Sequence, residues 1–140
     1  MNFSELLSDL SIHYNALIRK AASGLGLTAS QALYLISTPY DGISMSDLSS
    51  KLGLDTSTLT RNTNNLEKLD LIIKTKDTYD RRVQKIFLTP SGARAVENIE
   101  AMLNNVNQSV LENINIEAQE GLLEILTQLV WELDCIRDKK

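Results

Sequence analysis

The stretch that most constrains this chain runs from Ser44 to Leu88, where two short helix patterns meet at a glycine and two strand patterns follow. In Ser44-Met45-Ser46-Asp47 the serine can cap free amides at a helix start, and Asp47, at the third helical position, is placed to reach back as a capping box requires. Ile43 before the cap and Leu48 at the fourth position form a hydrophobic staple. Asp55 repeats the device ahead of Thr56-Ser57-Thr58, with Leu54 and Leu59 as its staple. Two starts this close bracket a tight turn, and Gly53 supplies the residue that takes the left-handed conformation ending the first helix. The predicted unit is a helix-turn-helix.

In the second helix Leu59, Leu66 and Leu69, with Thr63 or Asn62 beside them, fall on one side at helical spacing. That leaves Thr56, Ser57, Thr60, Arg61, Asn64, Asn65 and Lys68 outward. Hydroxyls, amides and an arginine are the groups that read base edges and hold phosphates, although the same face also suits an ordinary solvated helix. The residues that follow favour the first reading. Leu71 to Lys76 and Val83 to Leu88 are short runs rich in β-branched and apolar residues, and Asp77 to Arg82 between them reads as the charged tip of a hairpin. A helix for the major groove beside a ribbon offering Arg81 or Arg82 to the minor groove is a coherent surface for double-stranded DNA.

From Leu27-Thr28-Ala29-Ser30-Gln31, through the run Leu52 to Arg61, to Asp80-Arg81-Arg82 and Leu88-Thr89-Pro90-Ser91-Gly92, the chain resembles the MarR family of winged helix-turn-helix transcriptional regulators. By that resemblance Asp80 and Arg82 match the family's Asp-x-Arg wing motif, in which the arginine enters the minor groove and the aspartate orients it. Thr56, Ser57, Thr60 and Arg61 match its recognition-helix contacts. There are departures. Asn62, Asn64 and Asn65 stand where an apolar residue, an acid and a base are more usual, Asp70 stands where a glycine commonly ends the recognition helix, and Tyr79 replaces an arginine near the wing tip. Asp tolerates the left-handed conformation better than most residues. The resemblance also implies a homodimer and a small effector, often phenolic or aromatic, bound between the dimerisation helices and the DNA-binding lobe.

A net charge of −4 argues superficially against a nucleic-acid partner, so its distribution matters. Lys51 to Arg94 holds nine basic and five acidic residues, or +4, while the remainder holds five and thirteen, or −8. The positive lobe is the one that carries the helix-turn-helix and wing, so a moderate, salt-dependent affinity is expected. The absence of a long apolar run or a leader-like start predicts a cytoplasmic protein with no membrane partner. With one cysteine, Cys135, neither an internal disulfide nor metal-ligand spacing is available, and no metal or other cofactor is expected.

The rest of the chain reads as helices. Ser4 to Ala22 places Leu6, Leu7, Leu10, Tyr14, Leu17, Ile18 and Ala21 three or four apart, with Gly24 and Gly26 ending the run. Thr28-Ala29-Ser30-Gln31 is a capping box opening a short helix that Pro39 stops, and Thr89-Pro90 starts a long one carrying Ala95, Val96, Ile99, Met102, Leu103, Val106 and Val110. A last helix, Glu117 to Arg137, has an apolar surface broader than a single seam. The first helix and the last two offer more apolar face than the small lobe can cover, so they are expected to pack on a second copy, with Trp131 and Phe3 as interface candidates.

The expected fold is therefore mainly α with a small β-hairpin wing, one domain over residues 1–140. Residues 27–94 form the winged helix-turn-helix lobe, and 1–26 and 95–140 form the dimerisation helices. A two-fold dimer would set two recognition helices about 34 Å apart and select a roughly palindromic site. Candidate effector-lining residues are His13, Tyr14, Tyr34 and Tyr40, although Tyr34 and Tyr40 read more readily as packing residues with a wet hydroxyl. Two other functions fit parts of the chain: a winged helix that binds protein, and redox sensing through Cys135, which its neighbours Glu132, Asp134 and Asp138 disfavour. No phosphate-cradling loop or paired nucleophile and base suggests an enzyme.

Overall fold

The computed structural model describes residues 1–138 and holds six helices and a three-stranded sheet in that range. Helix α1 (Phe3–Ser23) starts at Asn2, whose side chain accepts from the Glu5 amide at 2.9 Å while Glu5 Oε2 accepts from the Asn2 amide at 2.9 Å. Helix α2 (Ala29–Ile36) opens with the expected box, Thr28 Oγ1 accepting from Gln31 N–H at 3.1 Å and Gln31 Oε1 from Thr28 N–H at 3.0 Å. It ends at Ser37, ahead of Pro39. Strand β1 (Ile43–Ser44) leads directly into α3 (Met45–Leu52), and α4 (Thr56–Lys68), β2 (Ile72–Lys76) and β3 (Gln84–Leu88) follow. Helices α5 (Pro90–Glu112) and α6 (Ile116–Asp138) complete the described residues.

The helix-turn-helix forms as its caps dictate. Ser44 Oγ accepts from the Asp47 amide at 3.0 Å, Gly53 sits at φ 63° and ψ 30°, and Asp55 Oδ1 accepts from the Thr58 amide at 2.7 Å. The first box is only half made: Asp47 does not return a bond to Ser44, since its side chain is one methylene shorter than the glutamate that normally does so. Leu48, Leu59 and Leu66 are buried to 2% exposure or less and join Leu35, Ile72, Ile86 and Ile99 in one core. Each such side chain contributes about 1.5–3 kcal/mol of burial free energy. Leu69, expected inward, is 53% exposed, because α4 ends at Lys68 and Asp70 turns the chain in the left-handed region at φ 57°.

The sheet has the order β1-β3-β2 and is antiparallel throughout. Ile72 pairs with Leu88 and Lys74 with Ile86, which turns Ile72, Ile86 and Leu88 toward the core. β1 pairs Ile43 with Ile86 and Ser44 with Lys85, so the residues read as staple and cap also close the sheet. The hairpin then hands over to α5 in a tight space. Thr89 N–H donates to the Leu71 carbonyl at 3.1 Å, Thr89 Oγ1 donates to the Asp70 carbonyl at 2.6 Å, and Gly92 N–H donates to Thr89 Oγ1 at 3.0 Å. A Cβ at Gly92 would lie 1.9 Å from the Leu71 carbonyl oxygen, so only glycine fits there.

Residues Met1–Leu103 form one compact unit, and the chain from Asn104 onward forms a second, the division falling within α5. In the first unit, α1 gives Ile18, Ala21 and Ala22 to the core, whereas Leu6, Leu10 and Tyr14 on its earlier turns stay exposed. In the second, Asn115 Oδ1 accepts from the Glu117 amide at 2.9 Å at the start of α6, and Gln119 Nε2 donates to the Leu111 and Ile114 carbonyls at 2.9 and 3.0 Å. Helix α6 has no buried residue.

Candidate nucleic-acid interface

Helix α4 presents the face the sequence predicts. Leu59, Asn62, Thr63 and Leu66 are buried, and Thr56, Ser57, Thr60, Arg61, Asn64, Asn65 and Lys68 are all exposed. At its start the Asp55 carboxyl is held below the usual carboxylate range, first by the Thr58 amide, then by the Thr58 hydroxyl, against a smaller opposing effect of burial and with Arg61 and the Ser57 amide assisting. Its negative charge lies where the helix dipole favours one.

The wing is ordered by its own side chains. Asp77 N–H donates to the Val83 carbonyl at 2.8 Å, Val83 N–H to the Asp80 carbonyl at 3.0 Å, and Asp80 N–H to Asp77 Oδ2 at 3.1 Å. Asp80 in turn grips Arg82 at three points: Oδ1 accepts from the Arg82 amide and Nε, and Oδ2 accepts from Nη2, each at 3.1 Å. The Arg82 side chain is nonetheless 90% exposed. The Arg82 side chain, followed by its amide, holds the Asp80 carboxyl below the usual range, and the carboxylate raises the guanidinium further above its own. A two-point grip fixes the plane and direction of an arginine that would otherwise sample many rotamers. Arg81 is exposed beside it, and Tyr79 at the tip is 99% exposed.

The four residues proposed for an effector cavity differ widely in burial. Tyr34 is fully buried, its hydroxyl 2.8 Å from Thr63 Oγ1, whereas Tyr40 is 94% exposed in the turn before β1. His13 is exposed on α1, and Tyr14 is 41% exposed. Burial pushes the Tyr34 phenol up, the Thr63 bond opposes this, and the charge of Glu67 adds to it. Cys135 is half-buried on α6. A shallow groove on that helix is lined by Leu123, Glu124, Thr127, Gln128 and Trp131, none of them singled out for a ligand in the sequence. Among the described residues no group of three or more His, Cys, Asp or Glu is placed to hold a metal, and no helix is long and apolar enough to cross a membrane.

One feature of α4 escaped the sequence reading. Asn62 Nδ2 donates to Ser30 Oγ on α2 at 2.8 Å, a pairing across 32 residues that no local pattern announces.

Residues 27–83 match the model of the MarR family. An uncharacterized HTH-type transcriptional regulator, YdgJ, of Bacillus subtilis (strain 168) is 26% identical over 89 residues, which are 64% of this chain and 54% of that protein, so the chain spans about half the length of that relative. Among solved structures, the transcriptional regulator PA3341 is 27% identical with a TM-score of 0.81, covering 95% of this chain and 98% of that one. The S. aureus MepR–DNA complex shares the fold at a TM-score of 0.78 and 23% identity, over 94% of this chain and 98% of that one. The caps, the turn at Gly53, the polar face of α4 and the gripped Arg82 thus coincide with the segment that is similar to the MarR family, and the chain carries a winged helix-turn-helix.

Proposed function

We propose that this protein is a transcriptional regulator that binds double-stranded DNA by sequence, as a homodimer on a roughly palindromic operator. The observation that carries the reading is the pairing of two finished surfaces in the positive part of the chain. One is a helix whose exposed side is hydroxyls, amides and Arg61. The other is a wing that holds Arg82 outward on the Asp80 carboxylate. Thr56, Ser57, Thr60, Arg61, Asn64 and Asn65 read or hold the major-groove side, and Arg82, with Arg81, enters the minor groove. MepR, a relative in fold, is found on DNA.

The homodimer is supported by the apolar surface of α6, on which Ile125, Val130, Trp131 and Ile136 are each more than 60% exposed. A second copy of the same helix supplies an apolar face of matching kind. An aromatic effector is implied by the family resemblance, with His13, Tyr14, Tyr34 and Tyr40 as its candidate lining.

The test is selection of duplexes from a random pool, followed by anisotropy titration of the enriched sequence at several salt concentrations. The expected result is an inverted repeat with half-sites about one helical turn apart and a steep negative salt slope. Failure to enrich any sequence overturns the reading in favour of a winged helix that binds protein.

A further inference from the structure

Helix α4 is tied to α2 by two side-chain bonds that run side by side. Tyr34 is fully buried, and its hydroxyl lies 2.8 Å from Thr63 Oγ1, which itself donates to the Leu59 carbonyl at 2.8 Å. Either hydroxyl of the pair can be its donor. One turn earlier on α2, Ser30 Oγ accepts from Asn62 Nδ2 at 2.8 Å, and Asn62 is only 8% exposed. Ser30 and Tyr34 are four apart and share a face of α2, while Asn62 and Thr63 are neighbours on α4 and point about 100° apart around its axis. No buried side-chain nitrogen or oxygen among the described residues is left without a partner, so the arrangement is complete.

The other buried residues of α4, Leu59 and Leu66, are held by apolar burial, which is non-directional and tolerates small rotations of a helix. Hydrogen bonds do not tolerate them. We propose that Ser30 and Tyr34 are positioning residues for base readout: through Asn62 and Thr63 they fix the rotation of α4 about its own axis, and with it the base edges that Arg61 and Asn64 reach. The inference rests on the reading of α4 as a recognition helix. Side-chain ends lie about 5–6 Å from a helix axis, so a roll of about 20° carries them about 2 Å sideways. That displacement breaks a bidentate contact to a base. Phosphate contacts from long, flexible basic side chains follow the same roll with little loss. The clasp therefore governs discrimination between sequences more than affinity for DNA in general.

The experiment uses the full chain, the duplex it enriches from a random pool, single-base variants of that duplex, and an unrelated duplex. Asn62→Leu replaces the amide by an apolar side chain of similar volume and is expected to keep the fold, read by its thermal midpoint. Its discrimination between the enriched duplex and the single-base variants is expected to fall roughly 5- to 50-fold. Its affinity for the unrelated duplex should change by less than about 3-fold. Tyr34→Phe, which removes one oxygen, should act in the same direction and carries the test if Asn62→Leu does not fold. Ser30→Thr, which keeps the accepting hydroxyl, should retain discrimination. Folded variants that discriminate as well as the wild type overturn the proposal and leave the DNA-binding reading standing. A wild-type chain that enriches no sequence removes that reading, and the proposal with it.

Discussion

Helices α4 and α6 both carry leucines at helical spacing, yet they end in opposite conditions. Four of the 13 residues of α4 are buried, and what remains outside is polar. None of the 23 residues of α6 is buried, and Leu123, Ile125, Val130, Trp131, Leu133 and Ile136 all remain at least 48% exposed. Helices this size are held in water chiefly by packing of an apolar face. The apolar demand of α4 is met inside the chain, so its free surface is available for a polar ligand. That of α6 is not, so its free surface calls for more protein. The first unit is therefore the candidate for recognition and the second for assembly.

The largest expected effect comes from breaking the assembly side. Trp131→Glu combined with Leu123→Glu puts two charges on the α6 groove, and the proposed dimer is expected to dissociate in sedimentation experiments while the first unit keeps its fold. Operator affinity should then fall by more than about 100-fold, because one recognition helix no longer brings its twin. A double variant that stays dimeric would move the assembly surface to another face. On the recognition side, the corresponding structural break is Gly92→Ala, whose Cβ meets the Leu71 carbonyl at 1.9 Å. It is expected to cost about 2–3 kcal/mol in denaturant unfolding without altering subunit association.

The same contrast explains what could be read in advance. Features set by near neighbours were legible: the Thr28–Gln31 box, the turn at Gly53 and the cap at Asp55 from the residues themselves, and the Asp80–Arg82 pair, two apart, from the family resemblance. Features set by distant pairing were not. β1 is two residues long and exists because Ile43 and Ser44 find β3 partners at Ile86 and Lys85. Asn62 and Ser30 meet across 32 residues, and Tyr34 meets Thr63 from across 29. Leu69 kept the helical rhythm in the sequence but fell after the helix had ended. Periodicity measures a local preference, and only the partner elements decide which apolar residues are covered.

A smaller effect sharpens the recognition half. Arg82→Ala is expected to weaken operator binding roughly 5- to 100-fold. It should also lower the salt slope by about one counterion, measured by anisotropy across salt concentrations. Asp80→Asn should give a weaker version of the same loss, since the amide oxygen can still accept from Arg82 but carries no charge to hold it. If Asp80→Asn leaves binding unchanged, the grip orients nothing that DNA uses. Neither change should affect the proposed dimer, which separates both from the α6 variants.

The smallest expected effect is the dependence of α4 on the charge of its cap. Because the Asp55 carboxyl is held below its ordinary range by the Thr58 amide and hydroxyl, the folded chain binds its proton less readily than the unfolded chain does. The cap's ionic contribution is therefore fully present above the ordinary carboxylate value, about 3.9, and is lost as pH falls through that value and below it. Asp55→Ser keeps a capping oxygen but cannot titrate. The difference in thermal midpoint between wild type and Asp55→Ser should therefore favour the wild type near neutrality and shrink below about pH 4. The other carboxylates, Asp80 among them, are common to both proteins and cancel in the difference. A difference that stays constant to about pH 3 would mean that the charge adds nothing to the cap. The start of α4 would then rest on geometry alone, as the start of α6 at the uncharged Asn115 must.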